Sequence, residues 1–130
     1  MGYAGVDSEF VEIEGDLWNL RRLQNLEEVH LCKDGINDDD LRFIAFLPKI
    51  HTLEFNADNG YEGAPICTDR CAEYLSRAKT LRTVVIHDGK FTDKFVAKLT
   101  QGLSDLEELR LGSPELTNES LRLIAERCKN

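Results

Sequence analysis

The chain has 130 residues, of which 42% are hydrophobic, 16 are basic and 24 are acidic. This length and composition suit one domain with its own core, so we expect a single domain over residues 1–130. The formal net charge of −8 disfavours binding to nucleic acid or to anionic membranes, and no apolar stretch is long enough for insertion across a bilayer.

The first 25 residues are predicted to form a degenerate unit ahead of a regular pattern. Leu17, Leu20, Leu23 and Leu26 recur at three-residue intervals, which favours one face of a helix. Residues 10–13 are the candidate strand of this unit. Terminal units of repeat proteins are usually irregular because one of their faces meets solvent instead of another unit.

An apolar spacing of the form Leu-x-x-Leu-x-Leu then recurs four times, starting at Leu26, Ile50, Leu81 and Leu106. The starting points are 24, 31 and 25 residues apart. Alternating apolar positions predict strands at 28–31, 52–55, 83–86 and 108–111. Because one such unit cannot bury its own apolar face, we expect the units to stack, with parallel strands that are adjacent in sequence order.

A helix is predicted after each strand, because a polar capping residue precedes a stripe of apolar residues. The caps are Asn37, Thr68, Thr92 and Thr117, whose side-chain oxygens accept from the free N–H groups of a first helical turn. Helices should therefore begin near residues 38, 69, 93 and 118. The acidic run at residues 38–40 fits a helix start, where carboxylates face the positive end of the helix dipole. The stripes are Leu41, Ile44 and Leu47; Ala72, Leu75 and Ala78; Val96, Leu99 and Leu103; and Leu121 with Ile124.

The second unit fits this scheme only with an insert near residues 59–65. That segment reads Asn-Gly-Tyr-Glu-Gly-Ala-Pro, which is turn chemistry without periodicity. We predict a loop at the strand-to-helix edge that overhangs one side of the sheet and takes part in binding.

The repeated pattern resembles leucine-rich repeats, whose consensus is L-x-x-L-x-L-x-x-N/C-x-L. The resemblance covers residues 17–130. Within it, the chain is similar to the helix-bearing repeats of the ribonuclease-inhibitor-like and cysteine-containing types. It implies a short right-handed α/β solenoid with a parallel sheet on its concave face and helices on its convex face. Asp34, Asp58, Gly89 and Pro114 stand where the consensus has Asn or Cys. The usual ladder of turn hydrogen bonds is therefore expected to be absent or replaced.

Such a scaffold implies a non-catalytic protein-interaction module, and the strand residues between the leucines are its candidate binding site. Their side chains should point to the concave face, because side chains alternate along a strand. They are Glu28, His30, Thr52, Glu54, Thr83, Val85, His87, Glu108 and Arg110. This mixture suits a polar, partly basic protein partner. A merely solvated face is the alternative, since no cluster of Trp, Tyr and Arg marks a hot spot there.

A narrower resemblance involves residues 26–33, Leu-Glu-Glu-Val-His-Leu-Cys-Lys, followed by Ile36, Asp38-Asp39 and Leu41. This stretch is similar to coupling factor B of mitochondrial ATP synthase and to its relatives that assist respiratory-complex assembly. It implies an alternative function as a mitochondrial factor associated with those complexes.

The cysteines are Cys32, Cys67, Cys71 and Cys128, and they lack the spacing of a secreted disulfide framework. The N-terminus also lacks the basic start and apolar run of a signal peptide, so we expect reduced thiols in an intracellular, cytoplasmic protein. In the competing class, a metal-binding or enzymatic protein, Cys67 and Cys71 would supply ligands, and His30, Cys32 and His87 would approach across adjacent strands. Paired metal-ligand motifs, a P-loop and the common catalytic motifs are missing from the sequence, so we predict no metal, no cofactor and no catalytic residue.

The aromatic residues of the helical side and the strand edge of the last unit each have two possible interpretations. The aromatic residues Trp18, Phe43 and Tyr74 fall on the helical side, where we expect packing between helices and keep an exposed patch as the alternative. In the last unit, Leu109 is predicted to be a buried strand leucine. The edge at Leu109 and Leu111 is either shielded by charged residues of the last helix or in contact with a partner or a continuation.

Overall fold

The framework of the protein is a six-stranded sheet. The computed structural model describes residues 17–31, 36–56, 67–87, 89–112 and 116–128, and the backbone of residues 2–6 and 9–13. The strands are β1 (Gly2–Val6), β2 (Glu9–Ile13), β3 (Glu28–Leu31), β4 (Thr52–Asn56), β5 (Thr83–His87) and β6 (Glu108–Leu111). Their order in the sheet is β2-β1-β3-β4-β5-β6.

Strands β3 to β6 are parallel and adjacent in sequence order, as predicted from the repeated apolar spacing. In register, Val29 lies beside Leu53, Leu53 beside Val84, and Val84 beside Leu109. Equivalent positions of successive units are therefore aligned across the sheet. The protein is an α/β protein with a four-stranded parallel sheet and helices between the strands.

An N-terminal hairpin extends this sheet in the antiparallel sense. The predicted strand near residues 10–13 exists as β2, but it pairs with β1 and not with β3. Strand β1 lies between them and pairs antiparallel with β3. The sequence analysis missed β1 because Gly-Tyr-Ala-Gly-Val has two glycines and no alternation of polar and apolar residues.

Helical segments precede or follow each parallel strand. Leu17–Arg22 and Asp38–Phe46 are 3₁₀ helices, and the later units contain α1 (Cys71–Leu75), α2 (Asp93–Gly102) and α3 (Asn118–Arg127). Three of the four repeats begin their helix at the expected residue, and α1 begins two residues later, after a turn. Within the described residues, none of the helices combines the length and the apolar character needed to cross a membrane.

Three of the four predicted helix caps are confirmed. The exception is Thr68, because the N-cap of α1 is Arg70, which makes no side-chain cap hydrogen bond, and Thr68 accepts from Arg70 N–H at 3.3 Å. The Asn37 side chain accepts from Asp40 N–H at 2.9 Å, and the Asp40 carboxylate accepts from Asn37 N–H at 3.0 Å, which completes a reciprocal capping box. Thr92 accepts from the N–H of Lys94, and Thr117 accepts from that of Glu119. Each cap satisfies a donor that the first turn of a helix leaves without a partner.

One continuous core lies between the parallel strands and the helices. Val29, Leu53 and Val84 have no exposed surface, and the helical stripes of the first three repeats are buried with them. The fourth repeat departs from the prediction: Leu109 is only partly buried and Leu121 is 66% exposed. In each earlier repeat the next unit covers the equivalent side chains, whereas no described unit follows the fourth repeat.

A ladder of aspartate–threonine pairs joins the helix starts of neighbouring units. Asp38 accepts from Thr68 N–H at 2.8 Å and from the Thr68 hydroxyl at 2.7 Å. Asp69 binds Thr92 in the same two-point manner at 2.9 and 2.5 Å. Asp93 repeats the arrangement with Thr117, whose N–H lies 2.9 Å away and whose hydroxyl also donates to it. The helix dipole alone therefore does not account for Asp38, because its carboxylate binds the next unit.

The consensus turn position contributes little to the described structure. Asp34, Asp58, Pro114, Cys32 and the predicted loop at residues 59–65 lie outside the described residues. Gly89 is the one such turn position inside them, and its N–H donates to Gly112 O at 3.1 Å. In the described chain, the aspartate–threonine ladder is therefore the side-chain hydrogen-bond pattern that repeats between units.

Candidate functional site

The nine predicted site residues lie on one face of the parallel sheet, which we call the open face. Their alternating neighbours on β3, β4 and β5 are buried against the helices, whereas the site residues themselves are partly or well exposed. The register arranges eight of them in two rows across the four strands. One row is Glu28, Thr52, Thr83 and Glu108, and the other is His30, Glu54, Val85 and Arg110.

Glu54 occupies the centre of a histidine–carboxylate cluster on this face. Its Oε1 lies 2.9 Å from His30 Nδ1, and its Oε2 lies 3.1 Å from His87 Nε2. His30 is directly opposite Glu54 in the sheet, and His87 lies on the diagonal, opposite Asn56. His30 Nε2 is also 3.7 Å from Glu28 Oε1. The sequence analysis placed these residues on one face, but their contacts depend on side-chain rotamers.

The electrostatics of this cluster keep Glu54 ionised. The hydrogen bond from His30, followed by that from His87, lowers the pKa of Glu54 below its usual value. The cluster is accessible to a partner, since the Glu54 side chain is 40% exposed and that of His87 is 55% exposed. An ionised carboxylate is therefore presented to solvent between two imidazoles that also donate and accept hydrogen bonds.

A second charged pair lies at the other end of the open face, on β6. Arg110 contacts Glu108 at 2.7 Å, and the Arg110 side chain is 73% exposed. Thr52, Thr83 and Val85 separate this pair from the histidine cluster and present small, mostly uncharged side chains. The open face thus has two polar ends and a less polar centre.

A buried cluster on the helical side gathers three possible metal ligands, Asp38, Cys67 and Cys71. One donor atom from each residue lies within 4.8 Å of those of the other two. Both cysteines are free thiols and almost fully buried. The hydrogen bond with Cys67, together with burial, raises the pKa of Cys71, so the Cys71 thiol keeps its proton at neutral pH.

The same cluster has an explanation that needs no metal. Both carboxylate oxygens of Asp38 already accept hydrogen bonds from Thr68, as in the other two ladder pairs. The structure does not bring His30 and His87 to these cysteines, as the metal-binding alternative would require. The imidazoles lie on the open face, and the thiols lie in the core on the other side of the sheet.

The helical side also carries a cluster around Trp18; the sequence predicted this tryptophan there but not its arginine contacts. Phe43 is buried between the helices as expected. Trp18, however, meets Phe46 edge-on, with ring centroids 5.3 Å apart, and the guanidinium groups of Arg21 and Arg42 each lie 4.6 Å from the Trp18 ring centroid. The signal that was missed is the 24-residue offset, which places Arg42 one unit after Trp18. Tyr74 lies nearby and donates to Asp39 at 3.0 Å.

Comparisons with known proteins add no family assignment. No protein-family model matches the chain, and the search of curated proteins found no match.

Proposed function

We propose that the protein is a short right-handed leucine-rich-repeat solenoid that binds another protein on its open face, which would be the concave face, without catalysing a reaction. One observation carries this proposal: the residues predicted from the repeats share a single accessible face, while the residues between them on β3, β4 and β5 are buried. Parallel strands stacked at nearly constant intervals hold such a face rigidly, and rigid scaffolds are well suited to presenting binding residues.

A partner with a basic surface fits the charges on this face best. Glu54 is ionised, Glu28 and Glu108 add carboxylates, and the whole chain carries a net charge of −8. Arg110 is the one arginine among the site residues, and Glu108 already contacts it. Charge complementarity of this kind accelerates association and weakens as ionic strength rises.

The test is a comparative pull-down from native cells with quantitative mass spectrometry, using the intact chain as bait. Glu54→Lys reverses the charge at the centre of the histidine–carboxylate cluster. Lys98→Glu is the control, because Lys98 is exposed on α2, on the helical side. We expect specific partners to be retained by wild type and the Lys98 variant and to be depleted by the Glu54 variant. Equal recovery with both variants, or loss only with Lys98→Glu, would contradict the proposal.

The identity of the captured proteins separates the two partner classes. Subunits of ATP synthase or of respiratory complexes would match the resemblance to coupling factor B and a mitochondrial location. Cytoplasmic partners would match the general scaffold role. With either class, dependence on Glu54 supports binding through the open face.

Metal binding is a second candidate function, supported by the mutual proximity of Asp38, Cys67 and Cys71. A thiolate-preferring ion such as Zn²⁺ would have to displace two thiol protons and loosen the Asp38–Thr68 contacts. Elemental analysis and Zn²⁺ titration of purified protein test this function, with Cys67→Ser as the disabled variant and Cys128→Ser as the control. Stoichiometric zinc that is lost only with Cys67→Ser would establish it, and metal-free protein that does not bind added Zn²⁺ would remove it.

A further inference from the structure

The outer edge of the sheet at β6 is unusually apolar for a surface that no described residue covers. Three side chains are fully or almost fully buried in the third repeat, namely Val84, Ile86 and Val96. The residues 25 positions later are Leu109, Leu111 and Leu121, of which the two strand leucines are partly exposed and Leu121 is 66% exposed. The last repeat therefore presents the same apolar surface that its predecessors bury against a neighbour.

These side chains surround an open cavity at the end of the sheet. The cavity has a volume of about 350 Å³, and its lining includes Leu109, Leu111, Leu116, Leu121 and Ile124. Strand β6 is the last strand in the sheet order, so no described strand pairs with its outer edge. An apolar patch beside an unpaired strand edge is a frequent site of strand-to-strand association.

The sequence of β6 indicates which strand fits there. Residues opposite each other in an antiparallel pair point to the same side of a sheet, so open-face residues must face open-face residues. For two copies of β6, a two-fold axis at Glu108 or at Arg110 would place like charges opposite each other. An axis at Leu109 instead places Glu108 opposite the second copy's Arg110, twice, which is the favourable arrangement.

We propose that the protein forms a two-fold symmetric dimer through β6, with Leu109 on the axis. The occupant of the edge is a second copy of this chain, because the Glu-Leu-Arg order of β6 is self-complementary in this register. An axis perpendicular to the sheet keeps both helical layers on the same side, so the apolar end surfaces that include Leu121 are brought together. Edge charges often prevent strand pairing, but here they favour one register of pairing.

The experiment measures the mass of the full chain in solution by sedimentation at micromolar concentrations and moderate salt. Wild type should sediment at twice the chain mass of 14.8 kDa. Glu108→Arg and Arg110→Glu should each weaken the dimer by about tenfold or more, because both cross-axis contacts become repulsive. Glu73→Arg and Arg77→Glu, which make the same changes at exposed positions near α1, should remain dimeric.

Mixing the two β6 variants gives the decisive measurement. One variant carries two arginines and the other two glutamates at positions 108 and 110, so neither can form the Glu108–Arg110 contact within its own chain. The equimolar mixture should nevertheless form a heterodimer, which only pairing between chains explains. Monomeric wild type, dimeric single variants or a mixture that stays monomeric would each overturn the proposal.

A separate variant tests the proposal even if the β6 variants fail to fold. Leu121→Glu changes a side chain that is already 66% exposed, so the fold should tolerate it while the dimer dissociates. A Leu121→Glu protein that remains fully dimeric would also overturn the proposal. The result does not depend on the binding role of the open face, because the mass is measured on the purified chain without any other protein.

Discussion

Removal of one aspartate–threonine pair should destabilise the whole protein, and Asp69 is the best position for this test. Its carboxylate accepts from both the N–H and the hydroxyl of Thr92, and both contacts are partly buried. Hydrogen bonds to charged groups contribute about 1.5–3 kcal/mol each, and water replaces part of this at a half-exposed site. We therefore expect Asp69→Ala to lower the free energy of unfolding by about 1.5–3 kcal/mol.

The measurement is urea unfolding followed by circular dichroism, with Asp105→Ala as the control. Asp105 is exposed in the turn that precedes β6, so its removal should change the free energy of unfolding by less than about 0.5 kcal/mol. Asp69→Asn should fall between the control and Asp69→Ala, because an amide keeps one acceptor oxygen and replaces the other with a donor.

A double-mutant cycle with Thr92→Val isolates the pair from other consequences of each change. Thr92→Val also removes the helix cap on Lys94 N–H, so the single variant alone is not diagnostic. If the two residues act as a pair, the double variant should lose less stability than the sum of the single losses, by about 1 kcal/mol or more. Additive losses, or an Asp69→Ala protein as stable as Asp105→Ala, would refute the ladder as a stabilising element.

Two further predictions concern burial and pH. Leu53→Ala should lower the free energy of unfolding by about 2–5 kcal/mol, because Leu53 is fully buried. Leu109→Ala should lower it by less than half of that, because Leu109 is only partly buried. Equal losses in urea unfolding would contradict this difference. The hydroxyl of Ser120, followed by the contacts of Thr117, lowers the pKa of Asp93 in the folded protein. The stability that ionised Asp93 contributes is therefore present above its unfolded pKa and is lost as pH falls through its folded pKa. Asp93→Asn should make the free energy of unfolding less dependent on pH below about pH 4. An unchanged acid-unfolding profile would contradict this.

The strands were predictable because their signal is local and repeated. The pattern at Ile50, Leu53 and Phe55 contains both the alternation and the length of a strand, and three further copies confirm the register of each. The predicted bounds at 52–55 and 83–86 differ from β4 and β5 by one residue at one end. Stacking then follows, because a unit this small has no other way to bury its apolar residues.

Local sequence patterns do not predict the aspartate–threonine ladder, although they do mark its residues as helix caps and first-turn carboxylates. Thr92 and Asp93 form a plausible helix cap and first-turn carboxylate on local grounds alone. The contact from Asp69 to Thr92 spans 23 residues, and it becomes visible only when the helix starts of two stacked units are superposed. The same limitation applies to Glu54 and His87, which are diagonal neighbours whose contact depends on the conformations of both side chains.

The exposure of Leu121 shows a different limit of pattern reading. Its sequence context matches that of Val96, yet Val96 is fully buried and Leu121 is not. A periodic pattern identifies which side of a helix is apolar, but burial also requires a neighbour, and a pattern contains no information about the neighbour of the last unit.

At its two ends, the ladder has Asn37 and Asn118 where the other units have threonine and aspartate. The N–H of Asn37 has no described aspartate from a preceding unit, and it instead donates to Asp40 within its own helix start. At the other end, Asn118 stands where Asp38, Asp69 and Asp93 stand in earlier units. A neutral amide there leaves the described helix starts without a fourth aspartate, so the described ladder consists of the three pairs that Asp38, Asp69 and Asp93 form.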